Sequence, residues 1–251
     1  MEFITDLPTT LMLLFVVALF AGCLDTLAGG GGLIVLPALL LTGIPPLQAL
    51  GTNKMQGTMG TAMASLMMLK HKRVRWNEVK HLMLSAFIGA TIGSVVVQYL
   101  DTAKLNFVIP LVLIVIAIYF LFSGQLLNSI SPARISSSTY RFVVVPLIGS
   151  YDGLFGPGTG SFFALSGVAL QGKDLLSATA IAKTLNFATN IASLVIFIMA
   201  GKVIWIVGFA MMIGQAAGAW LGAHILFRIN LMYLRLLIVG ICIAMLIRYF
   251  W

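Results

Sequence analysis

The sequence predicts an all-α polytopic membrane protein of two homologous halves, with about 8 to 10 membrane helices and a short or broken, glycine-flanked helix in each half. Three observations predict it. Only 9% of the 251 residues are charged and 60% are hydrophobic, against about 25% charged in a soluble domain, so polar surface is too scarce to cover a water-facing globule. Apolar segments separated by charges fill nearly the whole chain, and at about 20 apolar residues per span they leave no room for a soluble catalytic lobe. Motifs of the first half recur in the second at one offset, the mark of an internal repeat.

Taken in order, the apolar cores run roughly from 9 to 27, 33 to 43, 53 to 70, 79 to 99, 106 to 123, 140 to 155, 159 to 171, 180 to 200, 203 to 226 and 231 to 250. Within the first, Phe20-Ala21-Gly22-Cys23 loosely imitates a lipoprotein cleavage site. The chain opens Met1-Glu2-Phe3-Ile4-Thr5-Asp6, however, acidic where a signal peptide is basic, so this segment reads as a retained membrane helix. The second core lies between Gly29-Gly30-Gly31-Gly32 and Ile44-Pro45-Pro46, the seventh between Gly156-Pro157-Gly158-Thr159-Gly160 and Gln171-Gly172. Such lengths suit broken or re-entrant helices. Cys23 and Cys242 stand in apolar stretches and read as small buried hydrophobes.

Aligning Asp25 with Asp152 puts Gly22 on Gly149, Leu27 on Leu154, Gly29 on Gly156 and Gly31 on Gly158. After a two-residue insertion Lys54 falls on Lys183, Val74 on Val203, Trp76 on Trp205, and Gly89 and Gly93 on Gly214 and Gly218. Glycine and leucine match by chance in membrane sequence; paired Asp, Lys and Trp do not. The reading is a first repeat over 1–124, a linker over 125–140 carrying Arg134 and Ser136-Ser137-Ser138, and a second repeat over 141–251, forming one membrane domain.

The formal net charge of +8 reflects basic cytoplasmic loops, not a nucleic-acid partner, because its densest run, Lys70-His71-Lys72-Arg73-Val74-Arg75, sits between apolar segments. If every segment crosses, the 70–80 run, Arg134, Arg141, Lys173 and Arg228 share the cytoplasmic side, opposite Lys104, Lys202 and Arg248. Five crossings per half then make the halves inverted repeats with both termini outside. If segments two and seven dip in and return, the halves are parallel and the termini inside. The inverted reading is preferred, since Glu2 and Asp6 do not favour retention inside.

Short, interrupted segments at corresponding places of two halves point to a transporter's midplane site. Glycine lets backbone amides approach a ligand, and a helix starting there aims N–H groups and partial positive charge at an anion. Gly29, Gly30, Gly31 and Gly32 with Gly156, Pro157, Gly158, Thr159 and Gly160 are therefore candidates for an anion cradle. Close helix packing is the plainer alternative, but such runs break helices. An ionised lysine at a helix centre costs about 2.5 to 3.5 kcal/mol even on insertion scales, which singles out Lys54, beside Asn53, and Lys183, with Asn186 and Asn190 on its stripe. Snorkelling or ion pairs with Asp25 and Asp152 are the alternative roles. Those carboxylates can carry a coupling proton or stay fixed counter-ions, and both readings stand.

His71, His81 and His224 are scattered, so no metal site is expected, and no cofactor. Trp76, Trp205 and Trp251 suit membrane interfaces, while Trp220 lies in a Gly/Ala-rich packing helix. HExxH, GxSxG and Walker sequences do not occur, which argues against enzymes of those classes and against ATP-driven transport.

The run Leu27-Ala28-Gly29-Gly30-Gly31-Gly32, the following Leu36-Pro37 and Ala49-Leu50-Gly51-Thr52-Asn53-Lys54, with Gly153 to Phe163 and Ala178 to Asn186, resembles the TauE/SafE sulfite exporter family over nearly the whole chain. The resemblance implies a bacterial-type inner (cytoplasmic) membrane permease, multi-pass, for sulfite, a sulfonate or a related sulfur-containing or organic anion. Gly57 stands where the internal alignment puts Asn186, so the first half is expected to offer fewer ligand donors. The expectation is a non-enzymatic secondary transporter moving a small anionic substrate by alternating access, with a passive anion channel as the alternative; membrane lipid is its surroundings.

Overall fold

The computed structural model describes residues 7–28, 30–126, 132–225 and 231–251; Gly29, Glu2, Asp6 and Arg228 lie outside the described residues. These form ten helices of at least ten residues and no strand: α1 Leu7–Ala28, α2 Gly32–Leu41, α3 Pro46–Lys70, α4 Trp76–Gln98, α5 Thr102–Leu126, α6 Val145–Leu154, α7 Thr159–Gln171, α8 Leu175–Met199, α9 Trp205–Ile225 and α10 Leu231–Phe250. Each expected segment is one helix. Two begin five or more residues before their apolar cores, α3 at Pro46 and α8 at Leu175. Proline is pre-set for the first helical turn, and Asp174 caps α8 by accepting from the Ser177 amide at 3.0 Å. A turn at Ser137–Thr139 and a π-helical stretch Tyr140–Val144 lead directly into α6.

Among the described residues five helices are long and apolar enough to span a bilayer: α1, α4, α5, α8 and α9. Although α3 has 25 residues, it is too polar to qualify, because Thr52, Asn53, Lys54 and Gln56 interrupt it. All four are buried. Meanwhile Leu84, Ile88 and Ile92 of α4 and Phe209 and Ile213 of α9 are exposed. Polar groups inside and large apolar groups outside reverse the soluble pattern and suit a lipid solvent.

Small residues bring helices of the two parts together. A Cβ on Gly93 of α4 would overlap the Ser150 carbonyl of α6, and one on Gly218 of α9 would overlap the Leu19 carbonyl of α1. Ser150 Oγ adds a bond to the Gly89 carbonyl at 3.0 Å and Ser94 Oγ one to the Gly153 carbonyl at 3.2 Å. In lipid, where neither surface gains by leaving water, this close approach and its polar contacts supply the association.

Chain direction follows from a few long-range contacts. The Tyr140 hydroxyl meets Ser166 Oγ at 3.0 Å and Gln171 Nε2 donates to the Ile135 carbonyl at 3.1 Å, so α7 returns to the end from which α6 started. His81, Arg141 and Lys173 line one cavity at that end. The start of α4, the start of α6 and the α7–α8 turn thus share one end of the bundle, as the reading in which each segment reverses the chain requires of them. Contacts between Gly57 and Asn190 and between Ser65 and Lys183 make α3 and α8 antiparallel.

Substituting Gly93→Ala or Gly218→Ala should cost about 1–3 kcal/mol by overpacking, lowering Tm in detergent by several degrees. Gly240→Ala, where a Cβ meets open space, should leave Tm unchanged or raise it. Equal melting of all three variants would remove backbone contact as the source of helix association.

Candidate functional site

Both helix breaks are built around an aspartate one turn upstream. The Gly31 amide donates to Asp25 Oδ1 at 3.4 Å. Gly156 and Gly158 take φ of +97° and +80°, left-handed values that suit glycine. The Thr159 hydroxyl lies 2.7 Å from both Asp152 Oδ1 and the Gly156 carbonyl, and Tyr151 donates to the Pro157 carbonyl at 2.6 Å. The two breaks touch: a Cβ on Gly32 would sit 3.3 Å from Pro157 Cα.

Each lysine reaches the aspartate of the other break. Lys54 Nζ pairs with Asp152 Oδ1 at 2.9 Å and also donates to the Asp152 carbonyl. Lys183 Nζ lies 3.6 Å from Asp25 Oδ2 and donates to the Asp25 carbonyl at 2.9 Å. The carbonyls they engage belong to the last turns of α1 and α6, where the helix leaves its final carbonyls without intrahelical donors. The pairs differ in seclusion, with side-chain exposures of 1% and 2% for Lys54 and Asp152 against 10% and 20% for Lys183 and Asp25.

Position along the bundle separates them. Lys54 follows Pro46 by eight residues (54 − 46) and Lys183 follows Leu175 by eight (183 − 175), about 12 Å at 1.5 Å per residue. Because α3 and α8 are antiparallel and both 25 residues long, the pairs lie toward opposite ends. A cavity of about 50 Å³ lies between the breaks, room for a few waters or one small ion.

Its wall carries most of the expected residues: Asp25, Gly31, Gly32, Asn53, Lys54, Asp152, Gly156, Gly158, Thr159, Gly160, Asn186 and Asn190. Gly30 and Pro157 are not among the residues of that wall. Lys183 is not on it, being drawn to Asp25. Gly57, the counterpart of Asn186, also lines it, together with Gln56, Thr61 and Gln215, which the sequence reading did not place. Thr61 follows Lys54 by seven residues, the spacing of Asn190 after Lys183, so helical periodicity could have found it. Gln215 could have been found as an amide in an otherwise apolar helix. Gln56 and Asn53 give the first half amide donors that Gly57 lacks.

Two lysines and two aspartates cancel, leaving the site to act through dipoles. Gln56 Nε2 donates to Asn53 Oδ1 at 3.0 Å, and Asn190 Nδ2 to the Asn186 carbonyl at 2.8 Å. Gln56 Oε1, Gln215 Oε1 and Asp152 Oδ2 are buried without a hydrogen-bond partner. Buried polar atoms are normally paired, so three acceptor oxygens left open around one cavity call for a hydrogen-bond donor there, such as water. Side-chain amides offer NH2 or C=O by rotation, and α7 begins at Thr159 with its positive dipole end here.

The family model for the sulfite exporter TauE/SafE matches residues 14–249. The chain belongs to this family. The match runs from α1 to α10, so the matched span of this chain takes in both breaks and both lysines. Among relatives, a "Probable membrane transporter protein" of Haemophilus influenzae is 42% identical over 213 residues, 85% of this chain and 84% of its own. "Probable membrane transporter protein ORF9" of a Sinorhizobium species is 40% identical over 238 residues, 95% and 91% of the two chains. "Probable membrane transporter protein YfcA" of Escherichia coli K12 is 40% identical over 218 residues, 87% and 81%. No solved structure matches the chain. Membership and the apolar helices make this TauE/SafE protein a multi-pass membrane transporter.

Gly156 and Gly201 both have left-handed φ, +97° and +64°, but a Cβ on Gly156 would lie 2.9 Å from Lys54 Nζ and one on Gly201 would meet nothing. Gly201→Ala should show only the backbone cost, about 1–2 kcal/mol. Gly156→Ala should melt lower by several degrees more, because it also dislodges Lys54 from Asp152; matched losses would show that the ammonium does not depend on this gap.

Proposed function

We propose that the protein is a secondary transporter of a small oxyanion, sulfite, a sulfonate or a related sulfur-containing or organic anion, in the inner membrane. The observation that carries this is the central cavity: it lies where two glycine breaks meet, and it is lined by side-chain amides, by Lys54 and by a helix N-terminus. An anion entering it would be met by Asn53, Gln56, Asn186, Asn190 and Gln215, by the first-turn amides of α7 and by Lys54. Since Lys54 is already neutralised by Asp152, such a site holds the anion mainly by hydrogen bonds, which depend on shape and donor geometry.

The same geometry suggests how access alternates. The two halves are read as inverted repeats, a reading supported by the antiparallel run of the equivalent helices α3 and α8. Each pair closes one end of the cavity, and rocking one half against the other opens one pair as it tightens the other. The secluded Lys54–Asp152 pair is the closed end in this conformation; the looser Lys183–Asp25 pair is the end nearer to opening. Asp25, a fifth exposed, is the carboxylate best placed to exchange a coupling proton.

In proteoliposomes, uptake of labelled sulfite should saturate and accelerate when unlabelled sulfite is loaded on the far side. Asn186→Ala with Asn190→Ala should lower it about 10- to 100-fold, the loss expected when hydrogen bonds to a charged group are removed. Flux that rises linearly with concentration and ignores the far side would identify a channel. Inactivity toward sulfite, sulfonates and organic acids alike would reject the substrate class.

A further inference from the structure

A second cavity, about 290 Å³ against 50 Å³ for the central one, opens where the start of α4, the start of α6, the end of α7 and the start of α8 converge. Its lining has two chemistries. His81, Arg141 and Lys173 supply basic groups, while Leu82, Phe163 and Ile181 supply an apolar wall. Glu78, the carboxylate among the lining residues, is bonded to Arg75 at 3.2 Å and is also acted on by the Lys173 charge, so one carboxylate stands against two cations of the lining, Arg141 and Lys173.

Arg141 is prepared for a ligand. It sits in the π-helical stretch Tyr140–Val144, an irregularity found mostly at functional sites. Here the stretch turns Tyr140 inward, buried and bonded to Ser166, beside Arg141. The Arg141 guanidinium lies 4.8 Å from the ring centroid of Phe142. Its Nε is buried without a hydrogen-bond partner. A buried, unsatisfied guanidinium N–H is costly unless an acceptor arrives.

We infer that this cavity is a binding site for an anionic phospholipid of the surrounding membrane, with the headgroup phosphate on Arg141 and Lys173 and the upper part of one acyl chain against Leu82, Phe163 and Ile181. A guanidinium matches phosphate oxygens with two parallel hydrogen bonds. Basic pockets between membrane helices on the cytoplasmic side are where such headgroups are held, and the basic segments 70–80, Arg141 and Lys173 identify this end as cytoplasmic by the positive-inside rule. A small hydrated anion heading for the central site gains nothing from the apolar wall, whereas an amphiphile uses both surfaces. The lipid would tie α4, α6, α7 and α8 together at the end remote from the Lys54 pair.

The purified full-length protein, delipidated in detergent, tests this by melting with added phosphatidylglycerol, phosphatidylcholine or inorganic phosphate, and by native mass spectrometry of retained lipid. Phosphatidylglycerol should raise Tm by about 5 °C or more at saturation and appear as one retained lipid, with phosphatidylcholine and phosphate much weaker. Arg141→Gln with Lys173→Gln should melt like the wild type in phosphatidylcholine and lose the phosphatidylglycerol shift. An equal shift with phosphatidylcholine would reduce the cavity to an apolar crevice, and an equal shift with phosphate would make it a small-anion site; either overturns the inference. If the double variant does not fold, the wild-type series decides alone.

Discussion

The structure depends on the burial of charge where charge is most expensive. Lys54 and Asp152 are almost wholly withdrawn from solvent, and separating two ions from water costs several kcal/mol each even after relaxation. What offsets that cost is geometry: a 2.9 Å ion pair, a second bond from the same ammonium to the Asp152 carbonyl, and the Thr159 hydroxyl donating to the same Asp152 Oδ1 that the ammonium engages. None of these exists unless α6 stops at Leu154, and α6 stops because Gly156 and Gly158 take left-handed backbone. The break, the pair and the cavity are one construction. Around Lys183 and Asp25 the same parts recur in looser form.

Packing in lipid explains why the construction is reciprocal. Helices gain little hydrophobic drive from meeting one another in a bilayer, so α1 against α9 and α4 against α6 rely on glycines that admit a neighbour's carbonyl. Both contacts join an early helix to a late one, and so do both ion pairs. The lysines lie toward opposite ends of the bundle with the cavity between them. The rocking motion proposed above, taken about these glycine contacts, would alter the two pairs in opposite senses.

Much of the fold was legible because membrane sequence is punctuated plainly. Charges, Gly runs and Pro45-Pro46 separated ten segments, and ten helices stand there. The breaks were legible from Gly29 to Gly32 and Gly156 to Gly160, and twelve of the expected residues meet at one cavity. Partner choice was less accessible. Lys54 and the carbonyl it engages are 98 residues apart and Lys183 and its own 158 apart, separations over which neither periodicity nor capping speaks. An alignment that equates Asp25 with Asp152 does not say which lysine each faces. Lys183 was expected on the substrate wall, yet its ammonium turns to Asp25. Gln215 passed for part of a packing helix because a single amide barely alters the hydropathy of α9.

The central claim is the crossed pairing, and double-mutant cycles on melting in detergent test it directly. Lys54→Met and Asp152→Asn, singly and together, give the coupling for one pair; Lys54→Met and Asp25→Asn give that for the uncrossed combination. Crossed pairing predicts a coupling of about 1–3 kcal/mol between Lys54 and Asp152 and near zero between Lys54 and Asp25. A strong coupling between Lys54 and Asp25, with none to Asp152, would contradict it.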